Sequence, residues 1–131
     1  MDQTLTEIAP QTVQQRTVKI GDYIVTGKVG QGGIAEIYRA KQPSLNRVVA
    51  IKMLSKALSD NPDIVKRFDR ESLVIAHLNH PNIVHVIDKG IAGGRYYFVM
   101  EYVDGASLRQ VIDSDKIPLN TKLEAVVQVC K

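Results

Sequence analysis

The sequence predicts an α+β domain, in which one helix packs on a five-stranded antiparallel sheet and two further helices follow. Two observations support this prediction. Three strand-like segments joined by short turns precede a helical pattern, and two more strand-like segments separate it from the last helices. The chain has 131 residues, 44% hydrophobic and 24% charged, which suits a single globular domain.

The first three strands are predicted from β-branched and aromatic residues between turn signals. Tyr23–Thr26 and Ile34–Lys41 flank the glycine cluster Gly30–Gly33. This pair therefore predicts a hairpin with a glycine-rich tip, which we call the glycine tip. After a turn at Pro43–Asn46, the segment Val48–Leu54 predicts the third strand.

The first helix has a clear start and stop. Asn61 is a suitable N-cap, Pro62 occupies the first helical position, and Asp63 lies in the first turn, where an acidic side chain favours the helix dipole. The helical pattern extends to Leu78 and is stopped by the segment Asn79–Asn82, which contains a proline.

The remaining elements follow the same signals. Ile83–Lys89 and Arg95–Val103 predict the fourth and fifth strands. Ser107 is expected to cap a short helix ending near Asp113, and a last helix begins near Asn120. The expected organisation is a flexible arm over 1–18, a compact lobe over 19–105, and these two helices over 106–131.

Charge and cysteine content exclude several classes of protein. The net charge is +3, with basic and acidic residues interspersed, so we expect no binding to nucleic acid. The one cysteine, Cys130, predicts neither an internal disulfide nor a metal cluster and favours the cytoplasm. Neither a signal peptide nor a membrane segment is expected in this chain, which leaves open whether a longer parent protein is membrane-anchored.

Three features carry candidate chemistry. Glycines at 30, 32 and 33 would let backbone N–H groups approach phosphates closely, although a hairpin turn without a ligand is the plain alternative. Strand alternation places Lys52 on one face with Ala50, among apolar neighbours, where a lysine requires an anion unless it extends to water.

The helix offers that anion. Ile64, Phe68, Ile75 and Leu78 form an apolar stripe at spacings that include Glu71, whereas Arg67 and Arg70 fall outside the stripe. A carboxylate on a core-facing stripe is costly unless it is paired. Local pairing at a helix edge is the alternative, but an ion pair between Lys52 and Glu71 satisfies both charges, and we predict it.

Five motifs in this order resemble the N-terminal lobe of protein kinases, and specifically of bacterial serine/threonine kinases, over about 19–131. They are Gly30-x-Gly32-x-x-Ala35-x-Ile37, Val49-Ala50-Ile51-Lys52, Arg70-Glu71, His80-Pro81-Asn82-Ile83-Val84 and Val99-Met100-Glu101-Tyr102-Val103. Ala35 stands where the family's third glycine would be. An unrelated α+β domain is the alternative if the ion pair is absent.

The resemblance implies an ATP site. Lys52 would hold the α- and β-phosphates and Glu71 would orient it. Met100 matches the gatekeeper position, and the backbone of Glu101 and Val103 would bind the adenine edge. The phosphate cover would comprise Gly30, Gln31, Gly32, Gly33, Ile34 and Ala35, and the adenine roof Val29, Ile37 and Ala50.

The sequence contains no His-Arg-Asp, Asp-Phe-Gly or Ala-Pro-Glu motif. In the family these supply the catalytic base and the Mg²⁺ ligands, so the resemblance implies an inactive fragment whose Mg²⁺ and protein-substrate sites lie in an absent C-lobe. A stand-alone half-kinase that regulates or binds a partner is the alternative. The nearest carboxylates are expected in turns or helix caps, with no metal site: Asp88, Asp104, Asp113 and Asp115.

The last helix has an apolar side that the family buries against the C-lobe. Its residues are Leu119, Leu123, Val126, Val127 and Cys130. An exposed apolar patch of this kind promotes association. We therefore expect a homodimer or a domain-swapped pair.

Overall fold

A computed structural model of the chain describes residues 16–129. One six-stranded antiparallel sheet carries a packed helix, and two further helices follow. In chain order the elements are β1 (Lys19–Ile20), β2 (Tyr23–Gln31), β3 (Ala35–Gln42), β4 (Arg47–Leu54), α1 (Pro62–His77), β5 (Val86–Ala92), β6 (Arg95–Glu101), α2 (Leu108–Asp113) and α3 (Leu119–Val129). The strand order across the sheet is β1-β2-β3-β4-β6-β5.

The α+β class is confirmed, but the predicted number of five strands is wrong. The additional strand, β1, has two residues, which pair with Ile24 and Tyr23 of β2. A segment of two residues is too short to show the alternation of apolar and polar side chains that predicts a strand. Only its backbone pairing with β2 defines β1. The predicted arm lies mainly outside the described residues, as does Cys130.

Several strand boundaries also differ from the predictions, and β6 ends at Glu101 instead of Val103. β2 continues through Gly30, which pairs with Ile37 although it was read as part of a turn. β5 begins at Val86, three residues later than predicted. It continues past Lys89 to Ala92, because Gly90 pairs with Tyr97 instead of starting the turn. The β5–β6 turn is therefore only two glycines long, and both adopt positive φ angles.

The capping signals of the helices are confirmed. The Asn61 side chain accepts hydrogen bonds from the backbone N–H groups of Asp63 and Ile64, and α1 ends within one residue of the predicted Leu78. Ser107 caps α2 and accepts a hydrogen bond from the N–H of Gln110. No helix within residues 16–129 is long and apolar enough to cross a membrane.

The sheet has an apolar core on each face, and β4 contributes to both. On the face away from α1, one core buries Ile20, Tyr23, Ala40, Val49, Ile51, Met53, Tyr97 and Val99. On the α1 side, the other buries Ala35, Leu54, Phe68 and Phe98. Within residues 16–129, no helix contributes to the first core, yet Val49, Ile51 and Val99 are fully buried. The sheet must therefore curl around that core to exclude water.

Tyrosine side chains close the curled sheet. The hydroxyl of Tyr23 on β2 donates a hydrogen bond of 2.9 Å to Asp88 on the edge strand β5. The Tyr97 side chain on β6 reaches Gly21, between β1 and β2, where an added Cβ would lie 2.5 Å from the Tyr97 hydroxyl oxygen. Asp88 was expected in a turn or helix cap, and this is wrong, since its strand position lets the carboxylate meet Tyr23.

Replacing Tyr23 with Phe tests this closure. Burial first, and then the hydrogen bond to Asp88 and its negative charge, raise the pKa of Tyr23 from 10.0 to about 12. The associated stabilisation is therefore complete below the unfolded-state pKa and is lost as the pH rises through the folded-state pKa. We expect Tyr23→Phe to lower the free energy of unfolding by about 1 kcal/mol at neutral pH, measured by urea unfolding.

The same variant should also flatten the alkaline loss of stability. Tyr96→Phe makes the same chemical change on the α1 side of the sheet and serves as the control. Identical dependence of the unfolding free energy on pH in wild type and Tyr23→Phe, from neutral to strongly alkaline conditions, would contradict the assignment.

Candidate functional site

The ion pair predicted between β4 and α1 is present. Lys52 Nζ donates a hydrogen bond of 2.8 Å to Glu71 Oε1. The side chains are 24% and 41% exposed, so the pair is only partly buried, in contrast to the expectation of a buried pair. The Lys52 ammonium also lies 5.7 Å from the centre of the Phe98 ring, within the range of a cation–π contact.

Packing of α1 against the sheet brings the two charges together. Phe68, one turn before Glu71, contacts Phe98 with ring centres 5.1 Å apart. Phe98 in turn pairs with Lys52 across the β4–β6 ladder. The contact between Phe68 and Phe98 therefore positions α1 on the sheet so that Glu71 reaches Lys52.

The predicted helix stripe is buried over only part of its length. Phe68 is buried and Ile64 and Ile75 are half-buried, but Leu78 is 44% exposed. The sequence reading missed Ser72, which is buried and donates a hydrogen bond of 2.6 Å to the Asp69 carbonyl. Its position four residues after Phe68 was the available signal, since that spacing returns to the same helix face.

The glycine tip joins β2 to β3 through Gly32, Gly33 and Ile34. The N–H of Gly32 donates a hydrogen bond of 2.8 Å to the carbonyl of Ala35. A Cβ added at Gly30 or Gly33 would have no neighbour within 4 Å, and none of the three glycines here has a positive φ angle. Neither space nor backbone conformation in the described chain therefore requires glycine at these positions.

The strand register aligns the glycine tip with Lys52. Gly30 pairs with Ile37, and Ile37 pairs with Lys52. Ala35, at the position of the family's third glycine, is buried against Leu54, Phe68 and Phe98, so its methyl group fills a core site. In the rest of this region Val29 is 55% exposed, Ile37 is half-buried and Ala50 is buried.

The segment after β6 borders the same face. Met100 pairs with Ala50 and packs against the core under α1. The Glu101 N–H donates a hydrogen bond of 3.1 Å to the His85 carbonyl, and Val103 is 64% exposed. Sequence reasoning missed the contact between this segment and β3, where the Arg39 guanidinium lies 5.4 Å from the Tyr102 ring centre.

Within residues 16–129, no group of three or more His, Cys, Asp or Glu side chains is arranged to hold a metal ion. What the described residues do provide is an open glycine tip and a lysine held by a carboxylate. These two features suit an anion such as a phosphate chain. They do not fit a metal site by themselves.

Comparison with known proteins identifies relatives of this arrangement. A family model described as a protein kinase domain matches residues 23–131. Serine/threonine-protein kinase PknB of Mycobacterium leprae is 42% identical over 108 residues, covering 79% of this chain and 17% of that protein. Serine/threonine-protein kinase PrkC of Bacillus subtilis is 39% identical over 102 residues, covering 78% and 16%. The chain thus spans less than a fifth of these relatives' length.

A solved structure has the same fold. The kinase domain of PknI from Mycobacterium tuberculosis superposes with a TM-score of 0.67 at 31% identity. The match covers 86% of this chain and 46% of that domain. The structural match therefore accounts for most of the described residues but for less than half of a kinase domain.

The packing at this site predicts unequal effects of two substitutions on stability. Phe68→Ala should lower the free energy of unfolding by about 3–5 kcal/mol, because a fully buried aromatic ring is lost. Glu71→Gln should lower it by no more than about 1 kcal/mol, because its carboxylate is substantially exposed and screened by solvent. Urea unfolding of both variants measures the difference, and a larger loss in Glu71→Gln would contradict this ranking.

Proposed function

The chain belongs to the protein kinase domain family, and we propose that it is the ATP-binding N-terminal lobe of a serine/threonine protein kinase. The parent protein would transfer the γ-phosphate of ATP to serine or threonine side chains of proteins. On this proposal, residues 19–105 form the nucleotide-holding lobe, residues 1–18 precede it as an arm, and residues 106–131 begin the second lobe.

One observation carries the proposal: an open glycine tip lies in register with a lysine held at 2.8 Å by a glutamate. Glycine at 30, 32 and 33 has no role in packing or φ among the described residues, but it would allow phosphates to approach the backbone N–H groups. Lys52 would hold the α- and β-phosphates, and Glu71 would keep the ammonium in position.

The adenine would bind on the β4 side of the same region. Val29 and Ile37 would cover it with Ala50, and Met100 would bound the back of the pocket. The backbone of Glu101 and Val103 would bind the adenine edge. Because the Glu101 N–H already donates to the His85 carbonyl, Glu101 would contribute through its carbonyl oxygen.

Gln31, Ile34 and Ala35 would complete the cover over the phosphates. The strongly exposed Val29 is consistent with a surface that the adenine ring would cover.

The remaining chemistry requires groups that the printed sequence does not contain. Residues 16–129 hold no cluster suited to a metal ion, so Mg²⁺ would be held by the complete kinase. The protein substrate would likewise dock on the second lobe. A stand-alone half-kinase with a regulatory or binding role is the competing proposal, and the codons that follow Lys131 in the gene distinguish the two. An in-frame His-Arg-Asp and Asp-Phe-Gly would support the complete kinase, and a stop codon the half-kinase.

Nucleotide binding tests the site residue by residue. In a nuclear magnetic resonance titration with ATP, we expect shifts at the glycine tip, at Lys52 and at Glu101–Val103. The binding should be weak, with a dissociation constant above the micromolar range, because the second lobe does not close the pocket. Lys52→Met should weaken binding about tenfold or more, since a charge-assisted phosphate contact is lost.

Lys89→Met is the matched control, because Lys89 also pairs with α1, at 3.0 Å from Asp69, but lies on β5. An equal loss of ATP affinity in both variants would contradict the assignment of Lys52. A micromolar dissociation constant for the wild-type chain would contradict the expected weakness.

Phosphate transfer should be absent from the purified chain. With radiolabelled ATP, Mg²⁺ and a generic basic protein, we expect no label in the acceptor above the level of the Lys52→Met variant. Transfer that Lys52→Met abolishes would show that the 131 residues suffice for catalysis and would overturn the proposed inactivity.

Self-association is expected through α3. Leu119, Leu123, Val126 and Val127 are exposed on this helix, and a second copy of the chain would cover them. Sedimentation at rising concentration should show a dimer that Leu123→Lys disrupts and Gln128→Lys leaves intact. A clean monomer at high concentration would contradict this expectation.

A further inference from the structure

Another ion pair lies at the base of the glycine tip, on the sheet face opposite Lys52. Arg95 Nη2 on β6 lies 3.3 Å from Glu36 Oε2 on β3, and the side chains are 20% and 19% exposed. Arg95 Nε also donates a hydrogen bond of 2.8 Å to the carbonyl of Leu54, the last residue of β4. The Tyr38 hydroxyl donates to the same carboxylate oxygen of Glu36. We call these contacts the Arg95 clamp.

The clamp spans three strands. β4 lies between β3 and β6 in the sheet, so the Arg95 side chain crosses one strand to reach another. Backbone ladder pairing joins only neighbouring strands, and the clamp therefore adds a connection that the ladder cannot make. The negative charge of Glu36 is stabilised within the clamp. The Tyr38 hydroxyl, and then Arg95, hold the pKa of Glu36 below its usual value although burial opposes this.

The end of β3 held by the clamp adjoins the glycine tip in the chain, and the end of β4 reaches the tip through a backbone hydrogen bond. Glu36 follows Ala35, whose carbonyl accepts the N–H of Gly32 at 2.8 Å. Leu54 precedes Ser55, whose N–H donates 2.8 Å to the carbonyl of Ile34. The two backbone hydrogen bonds that shape the tip thus each lie one residue from a clamped group.

We infer that Glu36 and Arg95 are positioning residues that hold the glycine tip at a set height over Lys52. They contact neither Lys52 nor Glu71 and act through the backbone of β3 and β4. The inference rests on the proposed function only in its consequence, which is that a loosened tip would cover phosphates poorly. The mechanical part concerns the chain without nucleotide.

Amide hydrogen exchange of the nucleotide-free 131-residue chain tests the mechanical part. In Glu36→Gln and Arg95→Met, we expect the amides of Gly32 and Ser55 to exchange about tenfold faster than in wild type. The core amides of Ile51 and Val99 should keep their rates. Arg95→Lys retains the charge but not the planar fork, so it should give an intermediate rate.

Asp69→Asn is the matched control, because it breaks the ion pair between Lys89 on β5 and Asp69 on α1, away from the tip. It should leave Gly32 and Ser55 exchange unchanged. Unchanged tip exchange in Glu36→Gln and Arg95→Met would overturn the inference. Equal acceleration of the tip and core amides would also overturn it, since the clamp would then only stabilise the sheet.

An ATP titration of the same variants separates this inference from the proposed function. We expect the affinity of Glu36→Gln and Arg95→Met for ATP to fall several-fold, with Asp69→Asn unchanged. Faster tip exchange together with no ATP binding by wild type would uphold the clamp and refute the nucleotide site. ATP binding by wild type with equal affinity in the clamp variants would refute the functional consequence.

Discussion

Strand β4 has to supply alternate side chains to two different environments, and the rest of the structure follows from that constraint. Val49, Ile51 and Met53 enter the core inside the curled sheet. Ala50, Lys52 and Leu54 face α1, where Leu54 completes the aromatic core and Lys52 meets Glu71. A one-residue slip in register would exchange these two sets and place the lysine in the closed core. Burial of Val49, Ile51 and Met53 therefore also places the Lys52 ammonium on the α1 face of the sheet.

Stability and proposed function rest on different contacts within this arrangement. Phe68 and Phe98 anchor α1, while the partly buried Lys52–Glu71 pair adds little to the free energy of unfolding. On the proposed function, the partly exposed Lys52 ammonium would accept an incoming phosphate while Glu71 still holds it in position. The helix is thus held by apolar packing, and that packing presents Glu71 at the right distance.

The curled sheet depends on side chains that join strands distant in the sheet order. Tyr23 reaches Asp88 from β2 to β5, and Arg95 reaches Glu36 across β4. Both contacts connect positions that the backbone ladder leaves separate. They explain how a sheet with a helix on one side only can bury a second core, and how its glycine tip can keep a defined position.

The sequence by itself determined the α+β class, the helix caps, the family resemblance and the pairing of Lys52 with Glu71. Each of these follows from local chemistry or periodicity, such as an apolar stripe interrupted by one carboxylate. Only the tertiary structure decided the two-residue strand β1, the contact of Asp88 with Tyr23, the exposure of Leu78 and the Arg95 clamp. These depend on which distant backbone segments meet when the sheet curls. Side chains separated by 65 positions, as Tyr23 and Asp88 are, share no local pattern through which either predicts the other.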